Sequence, residues 1–263
     1  MASTMRWNRL PFLVLPGAQN MSLDAWLLKR ASDRRETHLR FYLWTRPTLS
    51  LGRSQTAGDV VDYNFCRSAG IEIVRRPTGG RAVLHHMELT YAVTGCFGRD
   101  GFPQGVQDVY RAVCEALCLG LDALGVPAAV LWQGDIGGKL PTPKTLLPCF
   151  AAPVPGEIAA GGRKLVGSAM RADGAAFLQH GSILLHVNPS LQRGAQLDKS
   201  DYPVACASEW LHPFPSWRRM LGAFEEGFVR RFNAGMSPFA LSGAEWEEVR
   251  SGTAEYQANG KGK

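Results

Sequence analysis

A glycine pair, a lysine at a turn, a histidine in an apolar run and a loop cysteine are the residues of this chain whose types and spacing could do chemistry. The segment Arg75-Arg76-Pro77-Thr78-Gly79-Gly80-Arg81-Ala82-Val83-Leu84-His85 places residues without side chains between two extended runs. Glycines let the backbone approach a ligand closely, and their N–H groups can point at an oxygen or lie along an acyl chain. The pattern equally suits a tight hairpin with solvated arginines, and it lacks the spacing of a Walker loop or a dinucleotide fingerprint. In Gly162-Arg163-Lys164-Leu165-Val166-Gly167-Ser168-Ala169, Lys164 opens an apolar strand beside a glycine turn. Its ammonium is then either partly enclosed near a substrate carbonyl or thiol, or an exposed hairpin charge. In Leu178-Gln179-His180-Gly181-Ser182-Ile183-Leu184, His180 reads as a base or as a hydrogen-bonded strand histidine. Cys149, in Leu147-Pro148-Cys149-Phe150, is a loop thiol. Beside a basic group such a thiol is reactive, and otherwise it is a buried loop cysteine.

These residues need elements to hold them. Asn20 is expected to cap a helix through Met21, Ala25 and Leu28. Leu39 to Trp44 alternates as a strand, and Arg46 to Gly52 turns into a short extended piece. A short helix over Val60 to Arg67 stops at Gly70, and strands follow at Ile71 to Val74, Ala82 to His85 and Leu89 to Val93. Val106, Val109, Val113, Leu117, Leu121 and Leu124 share one face of a helix. Gln133 to Pro148 has no period and reads as a long loop. Glu157 to Ala160 and Lys164 to Ala169 form a hairpin through Gly161-Gly162-Arg163, and Phe177 to Leu185 is another strand. Helices are expected near Trp217 to Phe232 and after the capping box Ser242/Glu245, with a fraying tail from Gln257. Hairpin-linked strands with helices between them indicate a mixed α/β (α+β) sheet covered by helices.

The chain has 263 residues, 45% hydrophobic, 20% charged and 10% aromatic, which excludes disordered and collagen-like classes. No Pro/Gly/Ser-rich linker divides it. We therefore expect a single catalytic domain over 1–240, with 241–263 as a C-terminal helix and tail. A net charge of +6 favours acidic partners, and without a separate basic tail nucleic acid is not expected. The six cysteines include no Cys-x-x-Cys pair and the histidines, His85-His86 included, lack ligand spacing, so no metal or other cofactor is expected. Cys114 and Cys118 read as helix packing residues. No secretory signal and no membrane-spanning run is visible, so a cytoplasmic protein with reduced thiols is expected, as a monomer.

Taken together, the segments resemble the biotin/lipoate protein ligase-type family, which attaches lipoate or its precursor octanoate to lysines of carrier domains. Arg75 to Tyr91, with Glu-Leu-Thr-Tyr closing it, is similar to the family's acyl-binding loop. Gly162 to Ala169 is similar to its lysine-bearing strand, and Leu178 to Leu184 to its Gln-His-Gly-Ser-Ile-Leu strand. Asn20 to Asp24 and Leu49 to Arg53 match the helix and strand that precede these. Within the family, the chain is most similar to octanoyl-carrier-protein:protein N-octanoyltransferases. These have Gly-Gly-Arg where ligases carry a third glycine, and a Cys-Phe pair about fifteen residues before the lysine.

The resemblance implies a class II aminoacyl-tRNA synthetase/biotin synthetase-like fold and a cytoplasmic acyltransferase of lipoate biosynthesis. Cys149 is the implied acyl-thioester nucleophile and Lys164 the cation that lowers its pKa. Acyl binding falls to Arg76, Gly79, Gly80, Arg81, Ala82, Val83 and His85 in the loop. Val166, Gly167, Ser168 and Ala169 serve it on the lysine strand, and His180 and Gly181 on the last. The implied partners are octanoyl-acyl carrier protein as donor and the glycine cleavage H protein or a lipoyl domain as acceptor. His86 departs from the aspartate that often follows the histidine. The alternatives are an ATP-dependent lipoate–protein ligase, an octanoyl amidotransferase between carrier proteins, and a non-catalytic acyl-binding protein. Biotin ligation lacks its Gly-Arg-Gly-Arg loop here.

Overall fold

The computed structural model describes residues 5–131, 156–198 and 203–258. The first part runs β1 (Met5–Arg9), β2 (Leu13–Leu15), α1 (Gly17–Arg34), β3 (His38–Trp44), β4 (Thr48–Leu51), α2 (Tyr63–Ser68), β5 (Glu72–Arg75), β6 (Val83–His85), β7 (Glu88–Cys96), α3 (Val106–Ala123) and β8 (Ala128–Val130). The second holds β9 (Ile158–Ala160), β10 (Arg163–Asp173), β11 (Ala176–Leu184) and α4 (Pro189–Ala195), and the third α5 (Trp217–Phe232), β12 (Ala234–Pro238) and α6 (Gly243–Ser251). Among these residues a nine-stranded mixed sheet has the order β12-β1-β3-β7-β11-β10-β9-β8, with β2 beside β3. A second, three-stranded sheet has the order β5-β4-β6.

The centre of the large sheet is covered on both faces. Every residue of β7 is buried, so its alternation sorts side chains between two cores rather than between core and water. Leu89, Tyr91 and Val93 face the main core with α3 and α5, whereas Ala92 and Cys96 face α1. Helix α3 presents Val109, Val113, Leu117 and Leu121 at helical spacing, and all four are buried. It meets α5 closely: a Cβ on Gly227 would lie 2.3 Å from the Ala116 carbonyl oxygen. Val106, expected on the same face, is 49% exposed at the first turn.

Helix α1 begins before Asn20, and Asn20 is not its cap. The backbone N–H groups of Gly17 and Ala18 donate to the two carboxylate oxygens of Glu72 at 2.9 and 3.0 Å. A carboxylate from a neighbouring strand thus satisfies orphan donors where the helix dipole favours negative charge. Asn20 is fully buried and donates instead to the carbonyls of Leu15 and Leu43, tying α1 to β2 and β3. Helix α6 starts at the expected Ser242/Glu245 capping box and packs on α1, where Ser22 Oγ donates to the Val249 carbonyl at 2.6 Å. Of the tail expected to fray from Gln257, Gln257 and Ala258 instead lie against β5, where the Ala258 N–H donates to the Ile73 carbonyl at 3.1 Å. Residues 259–263 lie outside the described residues.

Candidate functional site

The glycine segment leaves β5 at Arg75 and re-enters the small sheet at Val83. Its first two arginines are staples rather than solvated charges. Arg75 Nη1 donates to the carbonyls of Gly52, Arg53 and Gln55 at 2.8–3.1 Å. Arg76 donates to the carbonyls of Gly79, Arg81 and Ser50. Gly80 has φ +92°, and its carbonyl oxygen would sit 2.0 Å from a Cβ at Gly52. Glycine at position 52 is therefore what lets the loop close over β4.

The β9–β10 hairpin is joined by Gly161 (φ +55°) and Gly162 (φ +72°). Two positive φ values in a two-residue loop match the twist of the flanking strands, so the glycine pair fixes the register that presents Lys164. Lys164 is 1% exposed, which removes the exposed-hairpin reading. Its Nζ lies 2.5 Å from Glu157 Oε1, and that carboxylate is itself buried. A buried ammonium requires such a partner. Cys149, and the expected loop over 133–148, lie outside the described residues.

Between the two sheets and α1 is a narrow cavity, about 360 Å³ when the solvent-filled space at its mouth is included. The large sheet supplies Tyr42, Trp44, Thr90, Gly181 and Ser182, with Gly167 to Ala169 from β10. The small sheet supplies Ser50, Val83 and His85, and α1 supplies Met21. Arg76 and His180 complete the lining. Of the expected residues, Gly79, Gly80, Arg81, Ala82, Val166 and Lys164 do not line it. Val166 points to the opposite face and is fully buried in the main core with Ile183, its antiparallel partner. Ala82 packs under the small sheet beside Leu49 and Leu51. Gly181 lines the cavity because nothing larger fits, a Cβ there being 2.4 Å from the Gly167 carbonyl oxygen.

Two histidines stand in the lining, each hydrogen-bonded at both ring nitrogens. His180 Nδ1 lies 2.7 Å from Asp24 Oδ2, and its Nε2 lies 2.7 Å from Thr78 Oγ1. With the carboxylate accepting from Nδ1–H, a neutral ring accepts the threonine hydroxyl's hydrogen bond at Nε2 and holds the glycine segment to β11. Burial lowers the His180 pKa against the raising effect of Asp24. His85 is arranged likewise, with Glu88 Oε1 at 2.7 Å from Nδ1 and Ser50 Oγ at 2.7 Å from Nε2. Ser182 and Thr90 also donate to Glu88 Oε1. This makes His180 the hydrogen-bonded strand histidine of the two readings. Glu157, Glu88, Ser50 and Trp44 were not singled out as site residues from the sequence.

Four thiols of the described residues are poorly suited to nucleophilic work. Burial pushes Cys118 up to about 12 and Cys206 up to about 11, and raises Cys114 and Cys96 as well. Among the described residues, no group of three or more His, Cys, Asp or Glu could hold a metal ion. Nor is any helix among them long and apolar enough to cross a membrane.

The buried histidines give the fold a pH dependence whose sign can be worked out. His180 and His38 both have folded pKa values lowered by burial from 6.5, so below that pH the unfolded chain binds protons that the folded chain refuses. Their contribution is complete above pH 6.5 and is lost as pH falls below it. Glu36, held at about 2 chiefly by His38 and then Arg30, adds a second loss below 4.5. Thermal melting should give a flat midpoint from pH 8 to 7 and a falling one at pH 5. A midpoint unchanged at pH 5 would mean that these rings fold in the charged form.

The comparisons with known proteins agree with this fold. The profile of the lipoyl protein ligase A/B catalytic domain matches residues 16–204. The chain is 36% identical over 240 residues to the octanoyltransferase LipM of Carboxydothermus hydrogenoformans, covering 87% of this chain and 86% of that one. It is 35% identical over 260 residues to the LipM of Symbiobacterium thermophilum, covering 93% of each. Among solved structures, a Thermoplasma acidophilum protein with bound lipoic acid superposes with a TM-score of 0.76 at 22% identity, covering 95% of both chains. A lipoate-protein ligase A bound with ATP gives 0.75 at 23% identity, again covering 95% of both, so the expected fold is the observed one. The family profile spans most of the chain and the relatives are 35–36% identical over most of both chains, so the chain belongs to the lipoyl protein ligase A/B catalytic domain family.

Proposed function

We propose that this chain, an octanoyltransferase of lipoate biosynthesis, moves its acyl group through a thioester on Cys149. The donor in this reading is octanoyl-acyl carrier protein, and the acceptor is a lysine of the glycine cleavage H protein or of a lipoyl domain. The observation that carries it is the apolar cavity between the sheets, beginning at Gly167 on the same strand as the buried Lys164. Burying an alkyl chain there is worth about 0.8 kcal/mol per methylene, which holds the acyl group without any charged handle.

The chemistry follows from the energies of the bonds. The Cys149 thiolate attacks the donor thioester, the carrier thiolate leaves and takes a proton, and one thioester replaces another at little cost. The acceptor lysine amine then attacks the enzyme thioester, and a more stable amide replaces it as Cys149 is released. No step needs a nucleotide. A free thiol titrates near 8.5, so a fixed ammonium nearby raises its thiolate fraction at neutral pH. Glu157 holds the Lys164 ammonium in one place and offsets part of its charge. The +6 net charge suits acidic carrier proteins, and a monomer working in the cytoplasm completes the reading.

Intact-mass spectrometry after mixing the protein with octanoyl carrier protein, with and without ATP, tests it. The expected result is a hydroxylamine-labile octanoyl adduct without ATP. Acceptor labelling only when ATP and free acid are supplied would assign ligase chemistry instead.

A further inference from the structure

Adjacent to the cavity lies an open groove of about 910 Å³, a figure that includes the solvent-filled space above it. Its exposed apolar groups are Met87, just before β7, and Phe214 and Trp217 at the entry to α5. They are 50%, 44% and 39% exposed. Phe12 packs on Trp217 with ring centroids 5.3 Å apart, so the indole is held in place. Met87 has φ +56°, a left-handed conformation that side chains of its kind rarely adopt, and its carbonyl accepts from the Leu185 and His186 N–H groups. The backbone is thus held in an unfavourable conformation that leaves an apolar side chain in solvent. Exposed methionine and aromatic side chains, gathered with arginine, are the composition of an interface rather than of ordinary surface.

The charges around the groove are of one sign. Arg46 lines it, and Arg218 and Arg219 follow Trp217 in the first turn of α5. All three are exposed, and none has an ion-pair partner among the described residues. Among those residues the one acidic side chain in the lining, Glu88, is 3% exposed and already bonded to His85, Thr90 and Ser182. The groove therefore fits an acidic partner with apolar side chains among its carboxylates.

Strand register decides between the two protein partners of the reaction. Tyr42 pairs with Thr90 and Glu88 with Leu184, so the ends of β3 and β7 that border the groove are level with the end of β11. Ile183 pairs with Val166, which puts the Lys164 end of β10 at the same height. In the order β3-β7-β11-β10, Met87 stands two strands from Lys164, and Arg46, beyond the end of β3, stands three. At about 4.8 Å per strand these are gaps of about 10 and 14 Å between backbones. An extended chain advances about 1.2 Å per bond, so a lysine side chain reaches about 6 Å and a phosphopantetheine arm, phosphorus to sulphur, about 16 Å. An acceptor domain must then sit over the reacting end itself, whereas a donor can sit in the groove and still deliver its thioester.

We infer that this groove docks the acyl carrier protein donor, whose acidic surface meets Arg46 and the α5 arginines while its arm runs along the end of the sheet toward Lys164. The inference rests on the proposed transfer from octanoyl-acyl carrier protein, and adds where that donor sits, apart from the acceptor.

Arg46→Glu, Phe214→Glu and the double variant, all at exposed positions, test it, with Arg46→Lys as the conservative control. Acylation is measured with octanoyl carrier protein and with octanoyl-pantetheine, which carries the same thioester without the protein. With carrier protein the second-order rate constant should fall at least tenfold in each glutamate variant and stay within threefold in Arg46→Lys. With octanoyl-pantetheine, and in transfer from the preformed octanoyl-enzyme to the acceptor, every variant should stay within twofold of wild type. Equal losses with both donors, a loss confined to the acceptor step, or unchanged rates throughout would each overturn donor docking. Equilibrium binding of carrier protein to the Cys149→Ala enzyme separates this inference from the reading beneath it. If the wild-type protein forms no adduct with either donor, the transfer reading falls. Docking then stands only if carrier protein binds Cys149→Ala and adding Arg46→Glu weakens that binding at least tenfold, and otherwise it falls too.

Discussion

Replacing Cys149 with alanine is expected to abolish the acyl-enzyme and to slow octanoyl transfer at least about 10³-fold, as removal of a covalent nucleophile does. Cys114→Ala, Cys118→Ala and Cys206→Ala should each keep the adduct. The contrast follows from their surroundings. Cys114 and Cys118 lie on α3, Cys114 among the packed side chains of the main core and Cys118 against its edge. With Cys118 held at about 12 and Cys206 at about 11, the latter, the more acidic, has a thiolate fraction of only about 10⁻⁴ at pH 7. Peptide mapping of the hydroxylamine-labile adduct checks the assignment, and an acyl group on any other cysteine would contradict it.

Lys164→Met should affect both stability and chemistry, and a second substitution separates the two. Losing the ammonium removes the ion-pair partner of the buried Glu157 carboxylate, a change that costs about 3–5 kcal/mol. For a chain of this size that corresponds to a fall in melting midpoint of about 10 °C. Adding Glu157→Leu removes the carboxylate left without its ammonium and should restore most of the midpoint. It should not restore acylation, expected to fall at least about 10²-fold in both variants, because no cation then favours the Cys149 thiolate. The pH dependence of iodoacetamide alkylation at Cys149 should shift upward in Lys164→Met and much less in Lys164→Arg. Curves that superimpose would show that the pair only holds the hairpin together.

The parts of this fold legible in the sequence are those whose signals are local. The α3 stripe, the α5 span, the Ser242/Glu245 box and the Gly161–Gly162 turn each specify their element within a few residues, and each element is found. Strands β1 and β12 were not legible. They pair in parallel across more than two hundred residues, and Ala-Gly-Met-Ser-Pro has neither alternation nor strong strand formers. The start of α1 was misplaced for a similar reason: its N-terminal donors are satisfied by Glu72, far along the chain, rather than by a neighbouring cap.

The site divides along the same line. Segments carrying the family's motifs were visible, and His85, His180 and the small residues of β10 do gather around one cavity. Which side chain of a strand faces that cavity depends on register, so Val166 was expected in it and lies on the other face. Trp44 and Ser50 were unremarked because strand residues of their type are usually core. Glu157 gave one signal in principle, a carboxylate one residue before a short apolar strand whose hairpin returns to a lysine. Only the paired register of β9 and β10 shows that the two must meet.

The most direct test of the account is a single-turnover chase. The octanoyl-enzyme would be formed from octanoyl carrier protein without ATP, freed of donor, and mixed with unlipoylated H protein or an isolated lipoyl domain. Mass spectrometry of both proteins over time should show the octanoyl group leaving Cys149 as it appears on one acceptor lysine, at a rate no slower than steady-state turnover. An adduct that persists while the acceptor stays unlabelled, or an acceptor labelled only after ATP is added, would contradict transfer through the enzyme thioester.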